Sequence, residues 1–268
     1  MGKFNGGLPT DIVRLLDTID CMTKPIRTFD LGLMSLDQIM PRQLVAQLEM
    51  INQIFPPELA SLLESIEHLP ERQKEAMVIL ALNGWFVGLQ LPFGLQKKIL
   101  RKIIETTDEV DILLCEHFEA QFDEIKSNLK IRHAERSAII EQLFEAHQRQ
   151  LYYLTVPTAL TQVDGICYSS EYEGYLFMRV RGGDGLSQVA NKLKNADLTE
   201  YQQVLLSPFM TLLPITHTAK EREVNGSHGV LNRHTIIHGE SVDYGSRINS
   251  VKALVLLNYV STALIKQH

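Results

Sequence analysis

The last helical run, residues 249–266 (NSVKALVLLNYVSTALIK), constrains the chain more than any other stretch. Val251, Leu254, Val255, Leu256, Leu257 and Val260 spread around the helix instead of lining one narrow stripe. A band that wide buries itself against several neighbouring helices or across a subunit interface. The rest of the chain supplies such neighbours. Apolar residues recur at helical spacing over 11–22 (Ile12, Leu15, Leu16, Ile19, capped by Thr10 and stopped by Pro25) and over 36–55, which Pro56-Pro57 closes. Further helices are expected over 58–68 and 71–90, and two over 94–128, the second using Val110, Leu113, Leu114, Phe118 and Phe122. Trp85 falls in an apolar helical run and reads as core.

The polar run 126–136 (KSNLKIRHAER) reads as a domain junction, dividing an N-terminal helical domain, 1–131, from a second one, 132–268. A long amphipathic helix over 134–155 opens the second part, and Pro157 is expected to kink or end it. Residues 168–185 turn aromatic and β-branched and close on Gly182-Gly183-Asp184-Gly185, the pattern of a loop carrying a small β-hairpin insertion. Helices resume over 186–196 and 199–213, and a polar stretch over 216–229 follows Pro214. The fold class is therefore all-α, in two parts. His117, His133 and His147 lie on amphipathic helices and are expected at the surface or its boundary.

Composition narrows the function classes. Three distant cysteines, Cys21, Cys115 and Cys167, point to a reducing cytoplasm and away from a disulfide framework. No window reaches the eighteen or so apolar residues of a membrane span, and the opening MGKFNGGLPTDIVRLLD has no apolar signal core before charge arrives, so a cytoplasmic location is expected. A formal net charge of -6 gives no global attraction to nucleic acid. The charge is uneven, however: residues 1–131 hold 13 Lys and Arg against 19 Asp and Glu, while 132–268 hold 13 of each, so a nucleic-acid-facing surface belongs in the second half.

The convergent polar chemistry sits just before the apolar helix, in LNRHTIIHGESVDYGSRINSVK. Arg233, His234 and His238 fall within six residues, followed by Gly239. A permanently charged guanidinium beside imidazoles that titrate near neutrality suits a phosphodiester: one group holds the anion and another moves the proton. Arg233 and His238 are five residues apart and point about 140° away from each other on an ideal helix. They share a site if the helix starts or ends between them, or if a symmetric dimer brings two copies together. Asn232 is a candidate for bonding phosphate or backbone, Lys252 for adding a positive charge, Tyr244 for base stacking or for anchoring the loop on the helices, and Asn249 and Ser250 for capping the last helix and leaving amide donors free. Two other readings use the same residues. Arg233 pairs with Glu240 or Asp243 and His238 caps a helix end, which makes the segment a scaffold; or His234 and His238, on one helix face with His217 and His228 upstream, hold zinc.

The pattern Arg233, a polar residue, three residues, His238 resembles the signature of the HEPN superfamily of helical-bundle ribonucleases, found in toxins, phage-defence proteins and CRISPR effectors. The wider phrase NRHTIIHG, Asp243-Tyr244-Gly245, Asn249-Ser250 and Lys252-Ala253 resembles bacterial members of that group, and the resemblance covers roughly residues 134–268. It implies a metal-independent, cofactor-free endoribonuclease, a homodimer, that cuts RNA by 2′-hydroxyl attack on the adjacent phosphate. Arg233 would hold the scissile phosphate, His238 would act as general acid or base, and His234 would orient the site. Residues 1–131 would supply regulation or a partner surface, such as one for an antitoxin. The alternative from a different class is a catalytically silent helical dimerisation module.

Overall fold

The computed structural model of the protein describes residues 69–88, 107–183, 185–225 and 231–264, with single positions at 91, 95, 98, 99 and 102. The helices expected over 11–68 lie outside the described residues. Among those described, ten α-helices follow one another and there is no strand, so the all-α class stands. They are α1 Leu69–Leu82, α2 Thr107–Glu119, α3 Phe122–Arg132, α4 Ser137–Gln148, α5 Tyr152–Ser169, α6 Gln188–Leu193, α7 Glu200–Leu206, α8 Ala219–Asn225, α9 Arg233–Ile237 and α10 Arg247–Ala263.

Helix α10 is the axis of the fold. From Ser250 to Leu257 every side chain is buried, polar ones included. Its main partner is α5, while α2, α3 and α7 cover its other sides. That arrangement uses the whole width of the apolar band. Tyr259 is fully buried between Phe86 and Phe209, and its hydroxyl donates to the Leu205 carbonyl. Ser246 caps α10, accepting from the Asn249 amide at 3.1 Å, so the cap expected from Asn249 and Ser250 comes three residues earlier.

The junction expected over 126–136 is a tight corner inside one packed unit. Trp85, Phe86 and Leu114 share a single hydrophobic core with Leu160, Leu254 and Tyr259. The polar side chains of the run are spent on neighbouring helices: Lys126 and Lys130 pair with Glu141 on α4 at 3.2 and 2.6 Å, and the His133 imidazole meets Ser261 Oγ on α10 at 2.8 Å. A run of charges reads as a linker in sequence; here it is the rim of a helix pair.

The long helix expected over 134–155 breaks at Gln150 instead of Pro157. Gln150 has φ +58°, its amide donates to His147, and the Leu151 amide reaches back to the Ala146 carbonyl at 2.8 Å. This double closure ends α4 with a non-glycine residue in the left-handed region. Pro157 then lies inside a continuous α5. Its missing N–H leaves the Tyr153 carbonyl four residues back without its helical donor, and the Tyr244 hydroxyl approaches that oxygen at 3.4 Å. The hairpin expected over 168–185 reduces to one antiparallel bridge between Arg179 and Ser187. The polar stretch over 216–229 carries α8, whose start is fixed by Thr218 and Glu221 exchanging bonds between side chains and backbone amides.

Candidate functional site

Local chemistry shapes the Arg/His segment into a single short helix with defined ends. Asn232 is buried and caps α9, accepting from the Thr235 amide at 3.1 Å. Its amide nitrogen donates to the Pro214 and His217 carbonyls at 2.8 and 3.0 Å, clamping α9 to the preceding turn. At the other end Gly239 has φ +71°, its amide donates to Ile236, and the Glu240 amide donates to Thr235. Both groups needed for that closure are present, and the left-handed residue is a glycine, which takes it without strain. The helix begins at Arg233 and is over before His238, the first of the two conditions under which the pair can share a site.

Arg233 and His234 line a cavity of about 160 Å³ together with Phe177, Arg179, Ile215 and His217. The Arg233 guanidinium lies over the Phe177 ring at 5.7 Å, and its Nε is buried without a hydrogen-bond partner. Asp164 on α5 feels its field, but that carboxylate accepts from the Phe177 amide at 3.1 Å, and burial above all raises its pKa. The neighbouring cations are already spent. Arg179 holds Glu221 in a two-pronged pair at 2.7 and 2.8 Å, which brings that carboxyl down to about 2. Arg222 bonds the His217 carbonyl and pairs with Glu240 at 3.3 Å. Arg233 is the cation of this group whose charge is left for an incoming anion. A fixed guanidinium with open donors, walled by an aromatic ring, binds a planar or tetrahedral oxyanion well.

His238 follows the end of α9 and is exposed. Its ring lies 4.4 Å from that of His234 at an interplanar angle of 53°, and His234 Nε2 stands 3.6 Å from Glu240. The structure therefore puts Arg233 and His234 on one cavity wall, with His238 backing His234. The other residues singled out in the sequence lie elsewhere. Asn232 is a buried clamp. Tyr244 packs edge-on against Tyr153 at 5.2 Å, and the Asn249 side chain bonds the Tyr244 carbonyl at 3.1 Å, which shapes the loop before α10. Lys252 is 9% exposed, pairs with Asp111 at 3.0 Å and sits 5.3 Å from the Trp85 ring centre; it belongs to the core and is no substrate contact. One turn into a helix that is buried on all sides, a lysine has nowhere to go but inward.

Arg179 and His217 also line this site; the sequence offered His217 only as a zinc ligand upstream of His234 and His238, and did not tie Arg179 to the segment. Both come to Arg233 across more than fifteen residues of chain, through the Arg179–Glu221 pair and the Asn232 clamp. A Glu three residues after Thr218 was the available signal that residue 217 precedes a helix. His217 is 5% exposed. Burial lowers its imidazole below the ordinary value, Glu221 works against that, and Arg179 and Arg222 add to the lowering.

A second chain of polar groups runs through the core. Ser250 Oγ meets His147 Nδ1 at 2.8 Å, and His147 Nε2 meets Glu119 Oε1 at 3.2 Å. Glu119 in turn holds Arg247 at the start of α10. His147 is thus a core residue and not a boundary one. A serine, an imidazole and a carboxylate in a row resemble a nucleophilic relay, but Ser250 is fully buried and meets no substrate. The chain ties α2, α4 and α10 together. Cys115 and Cys167 are buried free thiols, and burial raises both. Among the described residues no group of three or more His, Cys, Asp or Glu has metal-binding geometry, and no helix is long and apolar enough to cross a membrane; His228 and Cys21 lie outside them. Comparison with protein-family models, curated proteins and solved structures finds no match to this chain.

Proposed function

We propose that the protein is a metal-independent endoribonuclease that cuts RNA at the Arg233 cavity through attack of a 2′-hydroxyl on the adjacent phosphate. The observation that carries this reading is the state of Arg233: a guanidinium in a cavity, with no hydrogen bond or ion pair among the described residues, beside imidazoles that can move protons. Arg233 holds the phosphate and stabilises charge on the five-coordinate phosphorus. His238 and His234 form the proton-handling unit, His234 at the cavity wall and His238 against its ring. The products are a 2′,3′-cyclic phosphate and a 5′-hydroxyl. The HEPN-like pattern of these residues adds a homodimeric state, a toxin or phage-defence role in the cytoplasm, and control by residues 1–131 or by a neutralising protein partner.

The reading is tested by inducing wild type, Arg233→Ala and His238→Ala in a bacterial host, with and without phage. Growth arrest with RNA fragments ending in cyclic phosphate is expected from wild type alone. Identical behaviour of all three, phage included, rejects it. The silent scaffold is favoured by one observation: Asn232, Arg222 and Glu240 already bind the segment to the fold.

A further inference from the structure

The cavity holds a second imidazole that the Arg/His pattern does not include. His217 follows the turn at Pro214–Thr216, and its backbone is held from two sides. Its carbonyl accepts from Asn232, the cap of α9, and from Arg222 on α8, so the residue is pinned between the two short helices. It lines the same cavity as Arg233 and His234. One protomer thus presents a guanidinium flanked by imidazoles from two different elements. A 2′-hydroxyl transfer needs that set: an anion holder, a group that takes a proton from the nucleophile, and a group that gives one to the leaving oxygen.

We propose that His217 is the general base of the Arg233 site, and that the cavity takes a single phosphoryl group with part of its sugar. This rests on the ribonuclease reading above. In the step, His217 accepts the 2′-hydroxyl proton as the 2′-oxygen to phosphorus bond forms. The phosphorus to 5′-oxygen bond breaks, and the departing oxygen takes a proton from His234, the member of the His234–His238 pair at the cavity wall. One imidazole gains a proton and the other loses one, so net charge is unchanged, and exchange with water resets the pair. The size fits: about 160 Å³ is roughly half the smallest pockets that enclose a drug-sized ligand, about 300 Å³. The enclosed space suits a phosphoester with its ribose edge, the rest of the chain lying outside it.

The charges that face His217 are consistent with a base. From α8 come Glu221 and Arg222, from the bridge segment Arg179, and from α9 Arg233 and His234. Burial favours the neutral imidazole, the form that accepts a proton. Glu221 is committed to Arg179 by two bonds, so it does not compete for the role.

The test uses the full chain and two readouts. In the first, inorganic phosphate is titrated into wild-type protein while the histidine ring resonances are followed by NMR, with Arg233→Gln as control. The expected result is a saturable shift of the His217 and His234 rings that is lost in the control; an unmoved His217 ring overturns the proposal whatever the RNA result. In the second, cleavage of a single-stranded RNA is measured against pH for wild type, His217→Gln and His217→Asn, each checked for its thermal midpoint. Loss of about 10²–10⁴-fold in kcat, with the acid limb of the profile abolished in a folded variant, is expected. Wild-type cleavage that His217→Gln leaves intact overturns this assignment and spares the ribonuclease reading. A shifted His217 ring with no cleavage by wild type rejects the ribonuclease reading and the proton-transfer role, and leaves a phosphate site.

Discussion

Replacing Asp111 with alanine tests the account of the core in its most loaded spot. The carboxylate receives Trp85 Nε1 at 2.6 Å and Lys252 Nζ at 3.0 and 3.1 Å, and both Asp111 and Lys252 are 9% exposed or less. Asp111→Ala strands an ammonium and an indole N–H in the interior. Removing one partner of a buried pair costs about 3–5 kcal/mol, and because Trp85 and Lys252 share the carboxylate their losses do not add separately. For a folded unit of this size each kcal/mol moves the thermal midpoint by about 2–4 °C, so a fall of about 6–20 °C is expected. Circular dichroism melts of wild type, Asp111→Ala, and the double variant Asp111→Leu with Lys252→Met give the comparison. The double variant should recover most of the loss, since apolar groups of similar volume replace a buried pair at little cost. A midpoint for Asp111→Ala within about 3 °C of wild type would refute the claim that Lys252 is a core residue.

Other expectations follow from single positions. Gln150→Gly relieves a left-handed residue at the end of α4 and should raise stability by about 0.5–1 kcal/mol in urea unfolding. Gly174→Ala puts a Cβ 2.9 Å from the Val189 backbone nitrogen, which cannot yield as a side chain would, and should cost about 1–3 kcal/mol in the same assay. Burial lowers the His147 and His217 imidazoles below 6.5, so the unfolded chain binds more protons as pH falls past that value. The stability this represents is fully present above about 6.5 and is lost as pH drops through the folded values. Melting points measured down that range should fall, and less steeply in His147→Gln.

Helix content was legible because spacing and proline breaks are local signals. Val251 through Val260 announced a helix buried all round, and α10 is that helix. What misled were residues whose meaning depends on partners far along the chain. Lys252 reads as a charge near the site until Asp111, from residues well upstream, is seen beneath it. The run 126–136 reads as a linker because its bonds to Glu141 and Ser261 are invisible in sequence. Pro157 reads as a helix end, yet Tyr244 approaches the carbonyl the proline leaves bare. The Arg233 to Gly239 segment was readable as a helix interrupted near Gly239, a local signal, while the Asn232 cap at its start reads in sequence as a phosphate or backbone contact. Arg179 was not readable, because nothing in the spacing joins it to Arg233, and His217 entered only as a zinc ligand because a lone histidine upstream does not reveal which cavity it lines.

The measurement that tests the central claim most directly is cleavage of a defined single-stranded RNA by purified protein, with its 2′-deoxy counterpart alongside, for wild type and Arg233→Ala at matched folded fraction. The account predicts fragments with 2′,3′-cyclic phosphate ends from the RNA and none from the deoxy strand, with cutting reduced by about 10²–10³-fold or more when the guanidinium is removed. Cutting of the deoxy strand, or equal cutting of RNA by wild type and Arg233→Ala, contradicts it.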